Sequence, residues 1–334
     1  MYDSSSDDRS RYFSRISTSL DLRSAQKLYP PFSEKNPHVC VNICNGLLCL
    51  QYPDGAYHLW NPSTGDFTTL PPLEPSPYPY LRQRDHKKMH GCNTSLVIPY
   101  SYGLGFDCKD KDYKLIRFIK IYYVDNHDHL HSVVSQVAIY SLKNDSWKGI
   151  SSDRQYYDIC DARATYLNGR FYWRAPEHIV SFDLVDEKFS KLPFSDVGRL
   201  VSDDFVFDLM DVSNLENNNY VLDLMEFDGS LGVVAYTRLG VEKLFAFWVL
   251  EIDGSCSWTR KFNYDVCTSD VEKPLGLCRN GELLLLERFD NKLVIYDYSV
   301  GELKKIDQLY DYPCMKVVFS YVESMVIFKT KKER

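Results

Sequence analysis

Long apolar runs are missing from this chain. The longest, residues 244–250 and 283–286, fall far short of the ~20 residues that a membrane-spanning helix needs. A basic, apolar secretory leader is missing as well, so the chain reads as a soluble protein of the cytoplasm, the nucleus or both. In that compartment the sequons at Asn93 and Asn144 carry no glycan. No Cys-x-x-Cys pair occurs among the ten cysteines, which leaves reduced, buried thiols as the expectation. Positive charge is not in excess either. The formal net charge of -7 argues against nucleic acid as the main partner, because phosphate binding draws on a basic surface.

Recognisable chemistry is scarce too. Gly103-Leu104-Gly105 lacks the third glycine and the following helix of a dinucleotide loop, and reads instead as close packing of an inner strand. His127, His129 and His131 would share one side of a strand and could hold a cation. They sit beside Asp125 and Asn126 between two apolar runs, where a polar loop is expected. Asp203-Asp204 could serve as paired carboxylates, but a solvated acidic loop is the better account of them. No Gly-x-Ser-x-Gly elbow occurs. The sequence therefore supports no catalytic residue, no metal and no cofactor.

Repetition is what the chain has. Helical periodicity is nearly absent, while 25 Tyr and 18 Phe, many beside Val and Ile in alternating runs such as residues 292–298, suit half-buried strands. Five times an extended apolar run meets a polar turn that opens on Asn, Asp, Glu or Ser and closes on an aromatic or Leu. The five turns open at Asn61, Ser141, Asp183, Glu251 and Asp297. Most of these units also hold a tight turn between two earlier apolar runs: Asn45-Gly46, Asn168-Gly169, Asp228-Gly229 and Asn280-Gly281, with residues 107–112 taking that place in the second. Asn-Gly and Asp-Gly accept positive φ at both centres of a two-residue hairpin turn. Each unit thus reads as four strands, A to D. Units of about 40 to 50 residues that cannot bury their own apolar faces stack radially into a propeller.

After the fifth unit two further runs remain, residues 314–321 and 324–328, and residues 11–17 and 19–22 alternate near the start. These predict a sixth blade with outer strands from residues 11–23 and inner strands from the C-terminus. The expected layout is a disordered polar segment 1–10, a single all-β propeller of the kelch-like kind over 11–328, and a basic tail 329–334.

The ordered motifs carry a family resemblance. Residues 45–50, Asn-Gly-Leu-Leu-Cys-Leu, then 59–65, Leu-Trp-Asn-Pro-Ser-Thr-Gly, closing on Leu70-Pro71, resemble the opening of the F-box-associated interaction domain of plant F-box proteins. Residues 102–107 with 112–117, residues 137–142 with Asp145-Ser146-Trp147, and residues 167–173 with 179–183 continue it in order. The chain is similar to S-locus F-box proteins and their relatives. The resemblance implies the substrate receptor of a Skp-cullin-F-box ubiquitin ligase, with no active site in this domain. The helical F-box that precedes the domain in the family has no counterpart before Val39. A fragment, a misassigned start or a truncated paralogue would each explain that, and a Skp-type adaptor is expected to bind only through an upstream F-box.

In four-stranded up-and-down blades the A–B and C–D turns share one end, and the B–C and D–A connections the other. The long connections, residues 71–101, 125–132, 193–218 and 263–273, all fall at that second end. Loops of this length in a compact domain are usually functional or disordered. Residues 71–101 carry Arg82, Arg84, Lys87 and Lys88 against two carboxylates, whereas 193–218 carry six carboxylates, Asp203 and Asp204 among them, against one Arg. Opposite-sign loops would orient a protein partner, with Tyr78, Tyr80, Tyr100 and Phe205 as aromatic anchors. The alternative is an enzyme or small-molecule binder at the axial mouth of the same end. The inner runs 103–106 and 274–277, mostly apolar or Gly, offer it little chemistry.

Overall fold

The computed structural model describes residues 13–16, 25–28, 39–51, 56–73, 94–124, 130–151, 156, 158–161, 163–193, 220–237, 243–252, 256–266, 271–277, 282–287, 293–297, 300–305 and 323–328. All their regular structure is β. A short hairpin pairs β1 (Phe13–Ile16) with β2 (Ala25–Leu28). Five antiparallel four-stranded sheets follow, each built in chain order. The first holds β3 (Val39–Cys44), β4 (Leu47–Gln51), β5 (Tyr57–Trp60) and β6 (Phe67–Thr69). The second holds β7 (Thr94–Asp107), β8 (Asp112–Val124), β9 (Leu130–Ser141) and β10 (Ser146–Ile150). In the third are β11 (Thr165–Leu167), β12 (Arg170–Arg174), β13 (His178–Asp183) and β14 (Lys188–Pro193). The fourth comprises β15 (Tyr220–Phe227), β16 (Ser230–Thr237), β17 (Lys243–Ile252) and β18 (Cys256–Val266). The fifth comprises β19 (Val271–Leu277), β20 (Leu283–Glu287), β21 (Leu293–Asp297) and β22 (Glu302–Lys305).

The tight turns explain this order. Asn45 and Gly46, Asn168 and Gly169, and Asp228 and Gly229 all take positive φ, between 44° and 78°. That geometry matches the right-handed twist of the flanking strands, so each dipeptide closes a two-residue hairpin. Asn280-Gly281 lies outside the described residues. Elsewhere the opening residue caps the loop: at the β13–β14 turn Asp183 Oδ1 accepts from Val185 N and Asp186 N, both at 2.9 Å, and at the β7–β8 turn Asp107 Oδ1 accepts from Lys109 N at 2.9 Å and Asp110 N at 3.1 Å.

The chain divides into two compact units, Met1–Pro72 with Ser320–Arg334, and Leu73–Phe319. In the first, Leu48, Leu50 and Trp60 form a small core against which Leu28 and Ile43 pack. The buried Asn61 side chain donates to two C-terminal carbonyls, Ser324 O at 2.9 Å and Val326 O at 2.8 Å. Its Oδ1 accepts from Ser63 N at 2.9 Å.

In the second unit the sheets pack face to face in sequence. Ile116, Phe118, Val137 and Ile139 meet Phe171, Trp173, Val180 and Phe182 between the second and third sheets. Leu167, Tyr172 and Ile179 meet Leu231, Val233 and Trp248 between the third and fourth. Val234, Phe245 and Phe247 meet Val271, Leu283 and Leu285 between the fourth and fifth. First strands lie beside first strands: Ala164 N donates to Tyr102 O at 2.7 Å, Tyr166 Oη to Phe106 O at 2.7 Å, and Thr165 Oγ1 to Leu224 O at 3.1 Å. Gly103 and Gly105 allow this approach. A Cβ on Gly103 would come within 2.9 Å of Phe171 and Ala164, and one on Gly105 within 2.8 Å of Leu184, Tyr166 and Phe171. Close packing of an inner strand is thus the use made of these glycines.

Several expectations need correction. The six-bladed ring is not formed: the described residues build five four-stranded sheets, and residues 323–328 are not in a strand. β1 pairs instead with β2, while the C-terminal segment spends its carbonyls on Asn61. The connection 71–101 ends earlier than expected because β7 begins at Thr94. Pro99, which reads as a loop residue, sits at a register shift between Pro99 and Ser101, where a residue without an N–H is tolerated. Likewise β18 runs to Val266 and β19 starts at Val271, which shortens the 263–273 connection. Five cysteines are described as free; Cys44 and Cys49 are buried, but Cys108 and Cys160 are exposed because they sit in a turn and a connection. Burial pushes the Cys44 thiol up to about 12, so it packs as an apolar group.

Candidate functional site

Of the ten residues proposed to bind a partner, nine lie outside the described residues: Tyr78, Tyr80, Arg82, Arg84, Lys87, Lys88, Asp203, Asp204 and Phe205. His127 and His129 lie outside them too. Tyr100 is described. It is half-buried in β7, its ring edge-on to Phe118 at 5.9 Å, rather than free in a loop.

Tyr100 begins a row of aromatic rings between the second and third sheets. Phe118 on β8 lies 5.9 Å from Phe189 on β14, and Phe189 stacks on Tyr156 at 5.3 Å and 20°. Tyr156 comes from the connection between β10 and β11. A lysine covers each end of the row: Lys120 Nζ is 4.5 Å from the Tyr100 ring centroid and Lys191 Nζ is 5.9 Å from that of Tyr156. The strand alternation explains the first lysine, since Lys120 continues the face that Ile116 and Phe118 bury. Both ammonium groups lie within reach of the negative ring faces. Sequence reasoning missed Lys120, Tyr156, Phe189 and Lys191. A lysine in register with a core face marks where that core opens to solvent, and Lys120 carries this signal.

His178, at the start of β13, belongs to the same neighbourhood. Burial and then the Lys191 charge hold its pKa below the usual imidazole range, against the pull of Glu177 and Asp158. It is therefore a neutral ring at pH 7.

A polar cluster near the same end joins the β10–β11 connection to β12, β15 and β16. Asp161 accepts from Arg174 N at 2.6 Å and from Arg174 Nε at 3.4 Å, and Asp223 accepts from Tyr236 Oη at 2.9 Å. Burial raises the pKa of Asp161, with the Asp223 charge adding to it, and Arg174 only partly offsets this. Both Asp161 oxygens are nonetheless committed to Arg174. Among the described residues no group of three His, Cys, Asp or Glu side chains could hold a metal ion.

The opposite end of the second unit carries a cleft of about 280 Å³, lined by Asp110, Lys114, Tyr140, Lys143, Lys148 and Glu187 among others. Its charges largely satisfy one another. Lys114 Nζ donates to Asp107 Oδ2 at 2.7 Å and to Leu184 O at 3.3 Å, and lies 3.6 Å from Glu187 Oε1. Lys148 pairs with Glu187, and Lys143 Nζ donates to Asp110 O. Burial raises the Tyr140 pKa, and its hydrogen bond to Asp145 adds to the rise. These groups tie two sheets together.

The sequence profile of the F-box associated beta propeller domain matches residues 8–328. F-box protein CPR1 of Arabidopsis thaliana is 26% identical over 93% of this chain and 73% of that protein. F-box protein At3g07870 of the same plant is 25% identical over 80% of this chain and 65% of that protein. F-box/WD-40 repeat-containing protein 1, also from Arabidopsis, is 28% identical over 45% of this chain and 34% of that protein. The chain spans well under half the length of the first curated relatives it matches, 38% and 34%. The family match covers nearly the whole chain and agrees with an all-β architecture of four-stranded blades. This chain belongs to the F-box associated β-propeller domain family.

Proposed function

We propose that this chain is the capture module of a ubiquitin-ligase substrate receptor and that it holds its protein substrate at the long-connection end of the second unit. The family match supports the class of function. The observation that carries the location is the ring row Tyr100, Phe118, Phe189 and Tyr156, with a lysine over each end. Aromatic rings are enriched in protein interfaces, and tyrosine is among the residue types that carry most of their binding energy. The connections carrying Tyr78, Tyr80, Arg82, Arg84, Lys87 and Lys88 and Asp203, Asp204 and Phe205 would extend this surface, their opposite charges setting the orientation of the substrate. A Skp-type adaptor would be engaged through an F-box in the same polypeptide, in the cytoplasm or the nucleus. Catalysis would rest with the ligase.

The test joins the chain to an F-box and measures, in plant cells, which co-purifying proteins also gain ubiquitin. Replacing residues 74–93 or 194–219 with short Gly-Ser linkers should abolish capture and ubiquitination of those proteins. The thermal midpoint should stay nearly unchanged, because surface-loop length contributes little to closure free energy. If both variants still capture and mark the same proteins, or if no captured protein gains ubiquitin, the reading fails.

A further inference from the structure

The lysines at the two ends of the ring row are held differently from the ion-paired cations of the protein. Lys114, Lys148, Lys261 and Lys304 each pair with a carboxylate, as do Arg170 and Arg174. Lys120 and Lys191 have no carboxylate partner among the described residues; each ammonium sits over an aromatic face. In a chain with a formal net charge of -7, two cations on one surface that are seated on rings rather than on carboxylates are unexpected. The nearby imidazole, His178, is kept neutral by burial and by Lys191, so it supplies no competing charge. Lys191 is exposed and Lys120, Tyr100, Tyr156 and Phe189 are half-buried, so both charges and the outer rings of the row reach solvent, while Phe118 between Tyr100 and Phe189 is fully buried.

We propose that this surface recognises an acidic segment of the substrate protein: an extended stretch with a carboxylate towards each end and at least one apolar side chain between them. The carboxylates would take the place that intramolecular partners hold at the other lysines, and the apolar side chain would lie on the Phe189 and Tyr156 rings. An ammonium already seated on a ring keeps its remaining donors for a carboxylate. At half-buried Lys120 partial desolvation by the Tyr100 ring strengthens that bond relative to an exposed ion pair, whereas exposed Lys191 adds a weaker, screened attraction. The proposal rests on the receptor reading and narrows it to a substrate class.

A phage-displayed library of random short peptides tests it, selected on the full chain and counter-selected on the Lys120→Gln, Lys191→Gln double variant. Enrichment of Asp and Glu at two positions that flank an apolar residue is expected. The winning peptides, measured by fluorescence anisotropy, should lose at least tenfold in affinity against the double variant and severalfold against Tyr156→Ala. Binding by the wild type should also weaken as salt rises, more steeply than binding by the variant. Circular dichroism and the thermal midpoint of the double variant should match the wild type. A charge-reversed chain, Lys120→Glu with Lys191→Glu, should select basic peptides instead. Winners without acidic enrichment, winners indifferent to the double variant, or displacement of an acidic peptide by anionic vesicles at lower concentration than by free peptide would each overturn the proposal. If the acidic peptides fail while substrate capture by the F-box fusion persists and survives the double variant, the substrate class is wrong and the receptor reading stands.

Discussion

At the scale of single residues, the repeated turn shows why one copy opens on Asn where others open on Asp. Asp183 needs only to accept, from Val185 N, Asp186 N and the Arg170 guanidinium, which a carboxylate does well. Asn61 accepts one such bond and must also donate twice, to Ser324 O and Val326 O. An Asp there would set a buried carboxylate against two carbonyl oxygens. Asn61→Asp should therefore destabilise the protein by roughly 2–5 kcal/mol in urea denaturation, the sum of two unsatisfied carbonyls and an unpaired buried charge. Asn61→Ala should cost less. A value for Asn61→Asp no larger than for Asn61→Ala would mean that the donors are not what holds the C-terminal segment. The inner glycines make the complementary case, of space rather than chemistry. Gly105→Ala should cost about 1–3 kcal/mol by overpacking against Leu184, Tyr166 and Phe171. Gly276→Ala, where an added Cβ meets nothing within 4 Å, should change stability little and serves as the control.

At the scale of elements, hairpins were legible and strand lengths were not. Asn-Gly and Asp-Gly dipeptides state their own conformation, so Asn45-Gly46, Asn168-Gly169 and Asp228-Gly229 could be placed from sequence alone. The length of β7, 14 residues against 3 for β11, depends on pairing with β8 and on the bulge beside Pro99, neither of which is local. The candidate surface was hidden for the same reason. Tyr156, Phe189 and Lys191 are far in the chain from Tyr100, Phe118 and Lys120, and the two sets are joined only when the second and third sheets stack. So are Asp107 and Lys114 with Leu184 and Glu187, and that pair makes the stability depend on pH. Burial would raise the Asp107 pKa, but the Lys114 hydrogen bond and charge, with the Asp110 and Lys109 amides, bring it below the usual carboxylate range. For Lys114, burial works to lower the pKa, and Asp107 and Glu187 outweigh it and raise it. A depressed acid stabilises the fold above its unfolded pKa of about 4 and loses that contribution as pH falls through the folded value. The raised lysine stabilises below about 10.5 and loses its share as pH rises through its folded value. Asp107→Asn should cost about 3 kcal/mol at pH 7, at the lower end for a broken buried pair because Glu187 remains 3.6 Å from the ammonium. Its stability should also fall less steeply than the wild type's below pH 4. Parallel acid limbs in chemical denaturation would show that this pair is not the acid-sensitive element.

At the scale of the whole molecule, five copies of the turn were the better guide to blade number than the leftover apolar runs. Residues 324–328 alternate as a strand would, with Ser324 and Phe328 buried and Met325 and Ile327 exposed. Alternation records which side chains a segment buries, not whether its backbone has a neighbour to pair with. Here two carbonyls of the segment are met by the Asn61 side chain, and Ser63 Oγ lies 3.3 Å from Ser324 N. Side chains of the first repeated turn thus take over hydrogen bonding that a strand ladder would supply. The start and end of the chain therefore share one compact unit, Met1–Pro72 with Ser320–Arg334. Removing residues 320–334 should then act on that unit first. It would leave the Asn61 amide without acceptors and expose the surface against which Phe328 is buried. In hydrogen exchange with mass spectrometry, peptides covering β4 to β6 should lose protection by tenfold or more, while those covering β12, β13 and β16 keep theirs. Equal loss in both sets would mean that the two units unfold as one. No loss in either would mean that the C-terminal segment is a passive strap over a first sheet stable without it.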